Sequence, residues 1–107
     1  MNVYSVQDLH EKRARGDEFL LIDVRTAEEL AIASLDGAYH IPLDALPMRL
    51  EEVGSWKEKE VVCMCHHGMR SARAQQILAG GGFTNVYNLT GGIHAWSVQV
   101  DPAVPRY

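Results

Sequence analysis

Apolar positions in this chain gather into short unbroken runs, separated by longer stretches that mix apolar and polar residues. Phe19-Leu20-Leu21-Ile22 and Val61-Val62-Cys63-Met64 are continuous runs of four, the pattern of strands covered on both faces. Val3-Tyr4, Ala38-Tyr39-His40-Ile41 and Val86-Tyr87-Asn88 are shorter extended candidates, the second closed by Pro42. Between these runs the signals turn helical. Ser5 and Asp8 cap a helix predicted over Val6 to Arg15, which stops at Gly16. Thr26-Ala27-Glu28-Glu29 is a capping box and predicts a helix to about Ala33. Pro47 suits the first position of a helix with Met48, Leu50 and Val53 on a partly apolar face and Gly54 as its stop. A further helix is predicted over Ser71–Leu78, closed by Gly80-Gly81-Gly82, and a short one from about Gly92 to Trp96. The tail Asp101-Pro102-Ala103-Val104-Pro105 cannot be a regular helix and is predicted to run extended over the surface.

Strands alternating with helices of about ten residues argue for βαβ units, an α/β fold with a parallel sheet covered on both faces. No linker or repeat interrupts the pattern, so residues 1–107 are expected to form one domain. In such sheets the working site lies beyond the carboxyl ends of the strands. Asp23-Val24-Arg25, after one central run, and Cys65-His66-His67-Gly68-Met69-Arg70-Ser71, after the other, both fall on that rim.

The second of these segments carries the chemistry. A strand ends in a cysteine, a loop follows with one glycine, and a helix opens behind it. Such a loop turns backbone N–H groups inward, and the helix dipole adds to their effect. A thiol at this position is favoured as thiolate, and Arg70 adds a fixed positive charge. Its planar fork is expected to tie down loop carbonyls. The result is a nucleophilic sulfur in an anion cradle. Cys63 lies within the apolar strand and reads as core packing, with a resolving thiol as the other possibility. Cys63-x-Cys65-His66-His67 also has the composition of a metal cluster, but five consecutive residues do not readily surround one ion, so no metal is expected unless His40 or His94 lies close. His66 and His67 read as loop walls. His10, His40 and His94 have no partner visible in sequence, and Trp56 and Trp96 read as packing residues. Arg49, Arg70 and Arg73 could edge a recognition surface for an acidic partner.

Composition narrows the partners. The net charge of -4, with 47% hydrophobic and 22% charged residues, gives no basis for binding nucleic acid or an anionic membrane. No apolar run approaches the ~20 residues of a membrane span. Asp8, Glu11 and Lys12 stand where a secretion leader would be apolar. Two cysteines one residue apart make no secreted-type disulfide framework, so a reducing, cytoplasmic setting is expected.

Five motifs, in order along the chain, together resemble a single-domain rhodanese: Leu21-Ile22-Asp23-Val24-Arg25; Gly37-Ala38 followed by Ile41-Pro42; Cys65-x-x-Gly68-x-Arg70-Ser71; Gly82-Phe83-x-x-Val86; and Leu89-x-Gly91-Gly92-Ile93-x-Ala95-Trp96. The ending Val100-Asp101-Pro102-x-x-Pro105-x-Tyr107 is similar to the rhodanese domain appended to enzymes that adenylate sulfur carriers. The resemblance implies a five-stranded parallel sheet flanked by helices, no cofactor, and a cysteine, Cys65, that carries sulfane sulfur as a persulfide. It implies thiosulfate or a protein persulfide as donor and cyanide, a thiol or a sulfur carrier as acceptor. Asp23 and Arg25 are then supporting residues beside the site, with Asp23 or Glu28/Glu29 as the ion partner. Two positions depart from the family pattern. Ala33-Ser34-Leu35 stands where Gly-His-Ile is frequent. His67 occupies the loop position where members that use thiosulfate well place a basic residue, and an imidazole is only fractionally charged near neutrality. A phosphatase of the related type needs Cys-x₅-Arg, one residue more than Cys65 to Arg70 provides. A carrier or partner-binding module with little turnover of its own is the alternative to a free-standing sulfurtransferase.

Overall fold

The computed structural model describes residues 2–107; Met1, the first residue of the expected domain, lies outside the described residues. Five strands form the framework: β1 Val3–Tyr4, β2 Leu20–Asp23, β3 Tyr39–His40, β4 Val61–Met64 and β5 Val86–Leu89. They lie in the order β1-β5-β4-β2-β3, and every neighbouring pair is parallel. Around them stand α1 Val6–Arg15, α2 Ala27–Ile32, α3 Leu46–Arg49, α4 Met69–Gly80 and α5 Gly92–Gln99.

Successive residues of a strand point to opposite faces, so each apolar run supplies two cores at once. Leu20, Ile22, Val61, Cys63 and Val86 face one layer, where Ala74 and Leu78 of α4 meet Ile41, Leu46 and Val53. Leu21, Val62, Met64 and Leu89 face the other, against Val6 and Leu9 of α1 and Ile93 and Trp96 of α5. Register then fixes the working edge. Ile22 pairs with Cys63 and Asp23 with Met64, so β2 and β4 end at one level and release Val24 and Cys65 side by side.

Local signals account for most element ends. Ser5 and Asp8 form a reciprocal capping box on α1, and Gly16 closes it in the left-handed conformation. Thr26 and Glu29 do the same at the start of α2. Three expectations need correction. The helix expected from Pro47 to Gly54 is instead the four-residue α3, with 3₁₀ turns over Leu43–Ala45 and Leu50–Trp56 on either side. Leu50, Val53 and Trp56 all pack on the same core, and a spacing of three suits the three-residue turn of a 3₁₀-helix. The helix expected from Ser71 begins two residues earlier, because Gly68 turns the chain directly into α4. The tail is not merely laid on the surface: Val104 packs against the second core, and the Ser97 hydroxyl donates to its carbonyl at 2.6 Å.

Candidate active site

Cys65 is the first residue beyond β4 and is only 2% exposed. Its loop is pinned from three sides. From α5, the amides of Ile93 and His94 donate to the carbonyls of Cys65 and His66 at 3.0 and 3.1 Å. This needs a close approach of two backbones, and Gly92 permits it: a Cβ there would collide with both carbonyl oxygens, and its φ of +60° is itself a glycine conformation. From β5, the Asn88 side-chain amide donates to the Gly68 carbonyl at 3.1 Å. From α2, Glu29 receives both terminal nitrogens of Arg70 at 2.5 and 2.9 Å.

The sulfur itself has two polar neighbours. The Gly68 N–H donates to Cys65 Sγ at 3.1 Å, made possible by the left-handed φ of +113° at Gly68. Ser71 Oγ lies 3.3 Å from Sγ and donates to Asn88 Oδ1 at 2.5 Å. That hydroxyl proton is committed to Asn88, whose amide is itself fixed on the Gly68 carbonyl, so the Gly68 N–H is the donor directed at Sγ. Cys65, His66, His67, Met69 and Arg70 line a cavity of about 370 Å³ at the mouth, with Met69 85% exposed on its rim.

Arg70 therefore acts differently from the sequence expectation. Its fork is occupied by the Glu29 carboxylate instead of loop carbonyls. The physical reason lies in its place in the first turn of α4, where a cation opposes the helix dipole and an adjacent carboxylate relieves it. Arg70 in turn, with Tyr107 and the Thr26 amide, holds the Glu29 carboxyl far below the usual carboxylate range, against the opposing effect of burial.

Asp23 and Arg25 form a buried knot at the end of β2. Arg25 is 0% exposed and gives Nη2 to Asp23 at 2.7 Å and to the Ala33 carbonyl at 2.8 Å. Asp23, of the three carboxylates considered, is its ion partner. His40 Nε2 lies 2.7 Å from the Arg25 carbonyl, which gives that histidine a structural partner away from the mouth.

Sequence reasoning missed three participants. His94 comes to the loop, its ring 4.9 Å from His67 and 6.0 Å from His66; no signal in sequence pairs α5 with the loop. Asn88 was legible only as a polar residue in an apolar strand. Tyr107 stacks parallel on His66 at 3.9 Å, from 41 residues along the chain. Burial, then His67, pushes the His66 imidazole below its ordinary value. Although His94 is close, no group of three or more His, Cys, Asp or Glu among the described residues has the arrangement to hold a metal ion. Cys63 and Cys65 are both free thiols. Burial, and secondly the nearby Cys65, pushes the Cys63 thiol up to about 12, which suits a packing residue.

A model of the rhodanese-like domain matches residues 5–99. The chain belongs to the rhodanese-like domain family. A protein named sulfurtransferase from Allochromatium vinosum is 34% identical, over 97% of this chain and 95% of its own length. The adenylyltransferase and sulfurtransferase MOCS3-2 of Zea mays is 39% identical over 86% of this chain. This rhodanese-like chain spans 20% of that maize protein, and 36% of an Arabidopsis thaliana protein it also matches at 39% identity. The crystal structure of a rhodanese-like domain protein from Staphylococcus aureus superposes with a TM-score of 0.81 at 29% identity, covering 100% of this chain and 99% of the other. The five-stranded parallel sheet with helices on both faces is thus the rhodanese fold. No helix among the described residues is long and apolar enough to cross a membrane.

Proposed function

We propose that this chain is a sulfurtransferase that moves sulfane sulfur through a persulfide on Cys65. The placement of Sγ carries the reading: a cysteine at the carboxyl edge of the sheet, with the Gly68 N–H donating to it at 3.1 Å and the mouth of the loop open beside it, has a backbone donor for one anionic sulfur.

In the first half-reaction the Cys65 thiolate attacks the outer sulfur of the donor. A new S–S bond forms at Sγ, the donor's S–S bond breaks, and the electron pair leaves with the donor as a thiolate, or as sulfite where thiosulfate is used. In the second, an acceptor nucleophile (cyanide, or a thiol, including one borne by a sulfur carrier) attacks the outer sulfur and Cys65 leaves as thiolate. Two separate half-reactions give ping-pong kinetics. His66, His67, Gly68, Met69, Arg70 and Ser71 shape and hold the cradle, Asp23 and Arg25 support it from the end of β2, and neither metal nor cofactor enters.

A protein persulfide is favoured over thiosulfate as donor. The Arg70 charge is matched by Glu29, and the remaining wall is imidazole and Met69, so a sulfonate group finds little attraction. The rhodanese domain over residues 1–107 works in this reading in a reducing, cytoplasmic setting, which its two free cysteines suit. A second reading, a carrier module serving a sulfur-carrier pathway with little turnover of its own, draws on the 39% identity to the maize adenylyltransferase and sulfurtransferase. Intact-mass measurement after exposure to thiosulfate, or to a persulfide-loaded cysteine desulfurase, tests the proposal. Addition of one sulfur atom, absent in Cys65→Ser, is expected, faster from the protein donor. No adduct from either donor overturns it, and an adduct with no release to cyanide or thiols favours the carrier reading.

A further inference from the structure

The tail motif Asp101-Pro102-x-x-Pro105-x-Tyr107 has no part in the chemistry above, yet it is built to arrive at the loop. Asp101 folds the chain back: its side chain accepts from the Ala103 amide at 3.0 Å and its carbonyl from the Val104 amide at 3.1 Å. The buried Ser97 of α5 clamps the segment, donating to the Val104 carbonyl at 2.6 Å and accepting from Arg106 Nε at 3.3 Å. Pro102 and Pro105 reduce the number of conformations the free tail would have to give up.

At the end of this path Tyr107 touches three separate parts of the site. Its hydroxyl accepts from Arg25 Nη1 at 2.9 Å and donates to Glu29 Oε2 at 2.6 Å. Its ring lies on the His66 imidazole with centroids 3.9 Å apart and planes 7° from parallel. Glu29 in turn grips Arg70. Tyr107 therefore closes a circuit from the Asp23–Arg25 knot, through the cap of α2, to both ends of the Cys65 loop. The hydroxyl fixes where the ring sits, and the ring fixes His66, the residue next to the sulfur.

We infer that Tyr107 is a positioning residue, which holds the Cys65 loop closed through His66 and through the Glu29–Arg70 pair. The inference rests on the reading of Cys65 as the sulfur-carrying residue. A closed loop keeps the Gly68 amide on Sγ and restricts the approach of small reagents; a loosened one does neither. Small displacements of a reacting atom lower turnover more than they alter binding.

Tyr107→Ala and Tyr107→Phe in the full chain test this, with three measurements besides thermal stability. The first is the NMR position of the His66 imidazole protons, which a parallel ring at 3.9 Å shifts upfield. The second is the rate of Cys65 alkylation by iodoacetamide on its alkaline plateau, where ionisation no longer matters. The third is kcat and KM for sulfur transfer. Tyr107→Ala is expected to lose the upfield shift, raise the plateau rate by about fivefold and lower kcat by about tenfold, with KM changed by less than about twofold. Tyr107→Phe keeps the stacking shift and falls between parent and Ala in the other two. A folded Tyr107→Ala with the His66 position or the plateau rate unchanged overturns the inference. Should Tyr107→Ala not fold, Tyr107→Phe decides: a plateau rate equal to the parent's overturns it and a raised one supports it. Absence of sulfur transfer in the parent would count against the proposed function alone, since the NMR and alkylation measurements still decide the role of Tyr107.

Discussion

Arg70 and Glu29 meet across 41 residues as a two-pronged ion pair, Nη1 on Oε1 at 2.5 Å and Nη2 on Oε2 at 2.9 Å. The pair joins the helix behind the cysteine loop to the helix behind β2, and it also neutralises the guanidinium that lines the mouth. Glu29→Gln separates these effects, because glutamine still completes the capping box with Thr26. The variant should lose about 1–2 kcal/mol, the lower part of the range for charged hydrogen bonds because Arg70 is about a third exposed. It should also lower the KM for thiosulfate, since Arg70 is then free to attract an anion. A KM that stays the same or rises would show that the pair is only structural.

Cys65→Ser is expected to abolish sulfur transfer and leave the fold intact, while Cys63→Ser keeps most of the activity. The serine at 63 enters a site 0% exposed, so it should cost about 1–3 kcal/mol if its hydroxyl finds no partner. Activity per folded molecule, with the folded fraction measured by circular dichroism, makes the comparison. Equal loss in both variants would refute the assignment of Cys65.

His67 is exposed at the mouth, on the wall of the cavity beside Cys65. His67→Lys should lower the KM for thiosulfate severalfold without changing the loading of Cys65 from a protein persulfide. Steady-state kinetics with both donors would reveal either no gain for thiosulfate or an equal gain for both, and each would remove His67 from the donor's path.

Acid should weaken the fold in two windows. The His66 imidazole is pushed below its ordinary value of 6.5, by burial first and then by His67. The unfolded chain therefore takes up this proton first, and stability falls as the pH drops below about 6.5. Glu29 is also held low, here because Arg70 chiefly favours its charged form. Its contribution is complete above the ordinary 4.5 and is lost as the pH falls further. Urea melts from pH 8 to pH 3 should show both slopes. His66→Phe, which preserves the stack on Tyr107, should flatten the upper one, and Glu29→Gln the lower. An unchanged upper slope in His66→Phe would mean that another group sets it.

Gly92→Ala should be among the most damaging single changes in the chain. The new methyl would press on the Cys65 and His66 carbonyl oxygens, backbone atoms that cannot turn aside, and an alanine at a φ of +60° adds about 1–2 kcal/mol. Thermal melting should fall by several degrees or the chain should fail to accumulate. A melting point within a degree of the parent's would mean that the loop does not need this approach of α5.

Much of the fold was determined locally. The bounds of α1 at Val6–Arg15 and of β4 at Val61–Met64 coincide with the reading of the sequence, because a reciprocal cap, a closing glycine and an unbroken apolar run each act within a few residues. The position of Cys65 at the end of a buried strand follows from the same local logic. The run from Leu43 to Trp56 was less legible, since a spacing of three at Leu50, Val53 and Trp56 differs little on paper from one face of an α-helix.

Tertiary structure alone decided which distant residues hold the cysteine loop. Glu29 could be read as a cap, yet its oxygens also hold Arg70 and Tyr107, because register sets β2 and β4 side by side and brings α2 against the cysteine loop. His94 reaches His66 and His67 only because Gly92 lets α5 dock on the loop carbonyls. Tyr107 reaches Arg25 from 82 positions away. Caps, turns and strand periodicity are properties of neighbouring residues and can be read along the chain. Ion pairs and stacked rings between distant segments depend on where a sheet delivers its edges, and that position exists only once both cores are packed.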